Sequence, residues 1–200
     1  MDRGLPVDRF YIEQFLSRYS SDIRGEVLEI GEATYSRRWG GNRVSGFHVL
    51  HAVEANPEAT IVGDLSSGRN IPVGAFDCII LTQTLPFIYD IHGAVRHCHR
   101  ALRTHGVVLA TLPGISQISR YDMTRWGDYW RFTSLSARML FTEAFGEANV
   151  QVESHGNVLA AVSLLHGIPT EDLTAQELNE RDADYEVTIT VRAQKVEAHS

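Results

Sequence analysis

A chain of 200 residues with 44% hydrophobic content suits one domain that buries its own core better than it suits two. A formal net charge of −7 argues against nucleic acid and anionic membranes as partners, because binding phosphate takes a dense Lys/Arg face. Cys78 and Cys98 are the only cysteines, too few for a disulfide framework. With no apolar signal region at Met1–Pro6 and no run of about 20 apolar residues, the expectation is a soluble, cytoplasmic protein.

Phe10, Ile12, Phe15, Leu16 and Tyr19 fall mostly at helical spacing, so an amphipathic helix is expected over about 7–19, with Asp8 as a cap near its start. Val27-Leu28-Glu29-Ile30-Gly31-Glu32-Ala33-Thr34-Tyr35 then reads as a short apolar strand, an acid near its end and a glycine opening a loop. That is how a nucleotide-type cofactor site begins. Beyond the Gly-rich stretch Trp39-Gly40-Gly41-Asn42, a second strand is expected over Phe47–Val53, ended by Asn56-Pro57. Further strands are expected over Ala59–Leu65 and Phe76–Leu81, with no helix between the second and third.

A helix over His92–Arg103, stopped by Gly106, leads to a strand at Val107–Leu112. Gly114–Thr133 is a long segment of aromatic and charged residues. It is followed by a helix over about Ser134–Phe145, a strand at Val150–Ser154, helical stretches at Asn157–His166 and Thr170–Leu178, and a last strand at Glu186–Arg192. Strands alternating with helices imply a doubly wound, Rossmann-like α/β fold in a single domain, with a core over about 26–195. A ligand belongs outside the carboxyl ends of the strands.

Taken together, Leu28-Glu29-Ile30-Gly31, Gly63-Asp64-Leu65, Phe76 through Leu85, Arg100 through Leu109, and Asp128-Tyr129-Trp130-Arg131-Phe132-Thr133 resemble the class I S-adenosylmethionine-dependent methyltransferases over about residues 7–195. The resemblance is closest to a bacterial subgroup found beside glycosyltransferases that carries a similar Trp-Arg-Phe-Thr stretch. It implies a seven-stranded, mostly parallel sheet whose last strand is antiparallel. It also implies S-adenosyl-L-methionine as cofactor and a saccharide or other small metabolite as acceptor, methylated on oxygen.

The resemblance implies cofactor roles along the carboxyl edge of the sheet. Glu29 and Gly31 would shape the loop beside the methionyl portion. The loop departs from the family pattern, since Glu32, Ala33, Thr34 and Tyr35 stand where two further glycines usually fall. Either Tyr35 walls a rerouted loop with Ala33 small enough to pass, or the site is damaged and the chain is an inactive binding or assembly module. Glu54 matches the acid that holds ribose hydroxyls, with a solvated loop charge as the alternative and His51 as a rim residue. Asp64 matches the adenine-binding acid, or else caps the turn through Ser66-Ser67-Gly68. Leu65, Thr82 and Gln83 complete the set.

Hydroxyl acceptors need a base, and Asp122, Asp128 and His155 are the candidates, His155 titrating nearest neutrality. Asp128 and Arg131 have the alternative of simply pairing beneath the next helix. His97-Cys98-His99 points its side chains in different directions on a helix, so no metal site is expected and the histidines belong at the surface. The helix over Val158–Leu165 would permit a homodimer.

Overall fold

The computed structural model describes residues 4–54 and 56–197; Met1-Asp2-Arg3, part of the stretch read for a signal region, lies outside them. Seven strands form one sheet: β1 (Gly25–Ile30), β2 (Val44–His51), β3 (Ile61–Val62), β4 (Phe76–Thr82), β5 (Leu102–Pro113), β6 (Val150–His155) and β7 (Thr188–Gln194). Their spatial order is β3-β2-β1-β4-β5-β7-β6. The pairs from β3 through β5 are parallel, and β7 runs antiparallel to both β5 and β6. The order therefore reverses between β1 and β4, where a doubly wound sheet opens its ligand crevice.

Both faces of the central strands are covered, and the side chains sort by the strand period of two. Val27, Cys78, Ile80, Val107 and Leu109 meet Ile12, Phe15 and Leu16 of α1 (Val7–Arg18). Leu28, Ile79, Leu81, Val108 and Ala110 meet α2 (Ile91–Ala101) and, after the short α3 (Arg120–Met123), α4 (Ser134–Phe145) on the other face. The last helices, α5 (Val158–His166) and α6 (Ala175–Asn179), pack beside α1 around Val7, Tyr11, Ala160, Ala161 and Leu178.

Several boundaries differ from expectation for identifiable reasons. Asp8 is not the cap of α1: Pro6 holds that position without a side-chain bond, and the Asp8 carboxylate accepts from the Arg9 amide, at 2.8 Å. The third strand shrinks to Ile61–Val62 because Gly63 turns the chain, and Asp64 then pairs with Arg69 in an isolated antiparallel bridge. Gly106 does not stop α2. The helix ends at Ala101, Leu102 already pairs with Phe76, and a bulge separates it from the Val107–Cys78 pair.

The expected helix over Thr170–Leu178 breaks at extended Leu173, after which Thr174 and Glu177 form a reciprocal cap for α6. The last strand starts two residues late. Glu186 instead accepts the Ser134 amide at the head of α4, at 2.7 Å.

Candidate functional site

A crevice of about 570 Å³ opens at the carboxyl ends of β1 to β4. Ile30 and Gly31 form its floor, His51 and Ala52 one side, Asp64 and Leu65 another, and Gln83 and Thr84 the end nearest β5. Phe87, Ile88 and Tyr89 follow β4, and Trp126 and Tyr129 close over them from the segment between β5 and α4.

Each polar wall is built by a local device. Gly31 has φ +85°, and nothing lies within 4 Å of where a β-carbon would stand, so the backbone presents a bare cradle to the crevice. Its amide donates to the Leu50 carbonyl at 3.0 Å, and its own carbonyl accepts from Asn56 Nδ2. Behind the cradle, Glu29 is 2% exposed. Its two oxygens accept the Tyr35 and Ser36 amides at 2.9 and 2.8 Å. Burial raises its carboxyl pKa, against the pull of those amides. Glu29 is thus the cap of the turn that follows β1 and does not reach the crevice.

That cap redirects the rest of the loop. Ala33 is buried, and Tyr35 turns into the core against Val27, Val44 and Trp39, with its ring beside the Arg9 guanidinium at 5.8 Å. Ala33 and Tyr35 therefore neither wall nor fill the crevice. Glu54 is exposed on the loop after β2 and absent from the crevice wall, because the strand ends three residues earlier at His51. His51 takes that edge, its ring against Trp126 at 5.7 Å.

Asp64 caps the turn through Ser66-Ser67-Gly68 and also stands on the crevice wall. Oδ1 accepts the Ser66 amide and Oδ2 the Ser67 hydroxyl, each at 2.8 Å, while the residue also lines the crevice. Burial would raise its carboxyl pKa, but these bonds outweigh it and hold the group below its ordinary value. A carboxylate has about four acceptor positions, so two engaged oxygens leave capacity for a ligand. His97 braces the same turn from α2 by hydrogen-bonding the Leu65 carbonyl at 2.8 Å. It is partly buried and not the surface histidine expected. Among the described residues no group of three or more His, Cys, Asp or Glu is placed to hold a metal ion.

Thr82 pairs within the sheet opposite Thr111 and lies outside both cavity walls. Gln83 lies in both. It adopts φ +47°, unusual for a residue with a side chain, and its buried Nε2 has no hydrogen-bond partner among the described residues. On its far side is a second cavity of about 170 Å³, lined by Asp8, Phe87, Asp128, Arg131 and Thr188 among others.

Asp122 lines the large crevice, with one oxygen taking the Ser119 hydroxyl at 2.6 Å. Asp128 lines the small one, its side chain all but covered in a two-pronged pair with Arg131 at 2.6 and 3.1 Å. The guanidinium holds the Asp128 carboxyl below the usual range. Arg131 also donates to the Gln117 and Trp130 carbonyls, so the pair staples the roof; α4 is capped by Thr133.

His155 joins neither cavity. It ends β6, the outermost strand, where its ring stacks on Tyr11 at 5.6 Å and Nε2 faces the Thr190 hydroxyl at 3.1 Å. Burial, with Arg181 nearby, lowers its pKa to about 4. It is a packed, neutral histidine, and the sheet order removes it from the crevice.

Residues 42–110 match the family model described as a methyltransferase domain. No curated protein sequence matches the chain significantly. Solved structures do. An S-adenosylmethionine-dependent methyltransferase from Mesorhizobium loti superposes with TM-score 0.58 at 16% identity, over 94% of this chain and 98% of that one. The N-methyltransferase NodS from Bradyrhizobium japonicum, in complex with S-adenosyl-L-homocysteine, gives 0.59 at 14% identity over 98% and 91%. A methyltransferase of the same cofactor class from Archaeoglobus fulgidus gives 0.58 at 11% identity, over 94% of each chain.

The fold is that of the class I S-adenosylmethionine-dependent methyltransferases. In this methyltransferase fold the sequence motifs locate the crevice, while Asn56 and His97 brace it and Asp8 faces the smaller cavity without any motif to announce them. Asp8 had a visible signal, an acid in the first helical turn, but that signal is shared with ordinary caps. One consequence tests the methyltransferase-fold cradle. Gly31→Ala is expected to cost about 1–2 kcal/mol by forcing a side chain into the left-handed region, read as a lower urea midpoint with unchanged m-value.

Proposed function

We propose that this chain is an S-adenosylmethionine-dependent methyltransferase that methylates a hydroxyl oxygen of a saccharide or other small metabolite. The observation that carries the reading is the crevice at the reversal of strand order, with a glycine cradle on one side and a partly satisfied carboxylate on the other. Its volume, about 570 Å³, falls in the range of about 300–1,000 Å³ usual for small-molecule and cofactor pockets.

The residues present fit the cofactor. Gly31 would admit the amino-acid portion against bare backbone. Asp64 would accept from the adenine amino group, Leu50 and Leu65 would cover the ring, and His51 would stand beside the ribose. When bound, S-adenosylmethionine supplies a methyl group already activated by a sulfonium. The protein then has to orient the acceptor, keep water out and take up a proton. Phe87, Trp126 and Tyr129 supply apolar cover for exclusion. The inactive-module alternative rests on the incomplete glycine loop, and it weakens because Tyr35, which would have to fill the crevice, lies in the core.

Among the described residues no helix is long and apolar enough to cross a membrane. A cytoplasmic, bacterial setting is part of the proposal and rests on the resemblance of the Trp130–Thr133 stretch. Val158, Leu159, Val162 and Leu165, all exposed on α5, support a homodimer.

Isothermal titration with S-adenosylhomocysteine tests the reading without an acceptor. Micromolar binding is expected, weakened about tenfold or more in Asp64→Ala by loss of a charge-assisted hydrogen bond. Correctly folded protein that fails to bind would return the chain to the binding-module reading.

A further inference from the structure

The small cavity is built unlike a packing defect. Two of its wall residues carry buried polar atoms that nothing among the described residues satisfies: Gln83 Nε2, and the Oγ1 of Thr188, a residue with no exposed surface. Native interiors leave few such atoms unpaired, and each calls for an explanation; here two of them belong to one cavity wall. Gln83 and Phe87 also line the larger crevice, so the two spaces are neighbours that share these residues.

A third wall residue is Asp8, held there by α1, whose Tyr11, Phe15 and Leu16 are buried in the core. It is not the N-cap, and among the described residues its carboxylate bonds only to backbone amides of its own first turn, those of Arg9 and of Asp8 itself. Burial holds this carboxyl above its ordinary pKa, against the pull of the Arg9 amide and charge. The other charged groups on the wall, Asp128 and Arg131, are committed to each other. Asp8 is therefore the one carboxylate facing this cavity that no side chain engages among the described residues.

Building on the methyltransferase reading, we propose that this cavity is the acceptor site for a small hydroxylated molecule, whose reacting hydroxyl is held by Gln83 Nε2 and gives its proton to Asp8. The acceptor oxygen forms its bond to the methyl carbon as the carbon–sulfur bond breaks. The electron pair of that bond stays on sulfur, and the hydroxyl proton goes to a carboxylate oxygen of Asp8. Gln83 donates to a lone pair the acceptor oxygen does not use in the attack. Thr188 engages a second polar group of the acceptor, which favours polyols and sugars over simple alcohols. None of the earlier base candidates meets these terms, since Asp128 is paired, Asp122 faces the other crevice and His155 lies outside both.

The test uses full-length protein, S-adenosylmethionine and two matched panels, small polyols and hexoses against amines of the same size, with S-adenosylhomocysteine release as readout. The expected result is turnover of hydroxyl acceptors. Asp8→Asn should lower kcat about a hundredfold or more, the usual scale for losing a general base, with S-adenosylhomocysteine affinity unchanged and part of the rate restored in Asp8→Glu. If Asp8→Asn melts below the assay temperature, Thr188→Val carries the test by raising KM for the hydroxyl acceptor about tenfold at constant kcat. The proposal is overturned by turnover of amines alone, by no turnover in a protein that binds S-adenosylhomocysteine, by wild-type kcat in Asp8→Asn, or by an unchanged KM in Thr188→Val. Failure to bind S-adenosylhomocysteine at all is a different result and removes the methyltransferase reading itself.

Discussion

Glu29→Ala should lower the unfolding free energy by about 2–5 kcal/mol, since it strips the partners from two buried amides and each unsatisfied group costs about 1–3 kcal/mol. The amides are those of Tyr35 and Ser36, held at 2.9 and 2.8 Å by a side chain that is 2% exposed. For a domain whose total stability is about 5–15 kcal/mol, this is a large fraction. The loss should appear in urea unfolding as a lower midpoint.

The same substitution frees the turn over Ser36–Gly40 and the cradle at Gly31, which share the chain leaving β1. S-adenosylhomocysteine affinity should fall with it although Glu29 is not on the crevice wall. Glu29→Gln separates the two causes. It keeps the shape but offers one acceptor oxygen for two donors, so it should recover part of the stability and most of the binding. A change below about 1 kcal/mol in Glu29→Ala would mean that the two amides find other partners, and the capping role would be withdrawn.

The sequence made the sheet readable where strands are buried on both faces. Cys78-Ile79-Ile80-Leu81 and Val107-Val108-Leu109-Ala110 are continuous apolar runs, as buried parallel strands are, and both lie within the expected strands. Edges were harder. Ala59–Leu65 looks like one strand, but a β-carbon at Gly63 would stand 2.8 Å from the Arg69 carbonyl. The return of the chain at Asp64–Arg69 is a tertiary fact that no local pattern states.

The crevice was legible in kind and less so in detail. Gly31, Asp64, Leu65 and Gln83 line it because they end or follow strands, and strand ends follow from apolar runs. Tyr35 was misplaced because the direction of a loop side chain depends on how the loop is tied. Glu29 ties it so that the ring enters the core. Asp8 was passed over because a helical first turn offers an acid an ordinary role. That it faces a cavity depends on how α1 docks across the sheet.

His155 is buried, so the pKa of a solvated imidazole does not apply to it, and this has a measurable consequence. Its pKa is lowered to about 4 by burial and by Arg181, against about 6.5 for an unperturbed histidine in the unfolded chain. Between those values the unfolded chain binds a proton that the native protein does not. Stability therefore rises with pH across this window. The contribution is complete above about pH 6.5 and is lost as pH falls toward 4, amounting to at most about 3 kcal/mol at 1.36 kcal/mol per pKa unit.

Urea unfolding at pH 7 and at pH 4.5, on wild type and His155→Gln, isolates this term from the carboxylates that titrate in both proteins. Among the groups around the ring, Arg18 and Arg181 disfavour its charging and Glu153 favours it. Glu153 is itself paired with both arginines, at 2.7 and 3.0 Å. Wild type should lose roughly 2–3 kcal/mol more than the variant on acidification; equal losses would mean that His155 charges in the native state without penalty. Because the ring stacks on Tyr11 of α1, its protonation should loosen the helix that carries Asp8. Acid should then impair acceptor turnover before it impairs S-adenosylhomocysteine binding, since the cofactor crevice is built from β1 to β4 and takes no residue from α1.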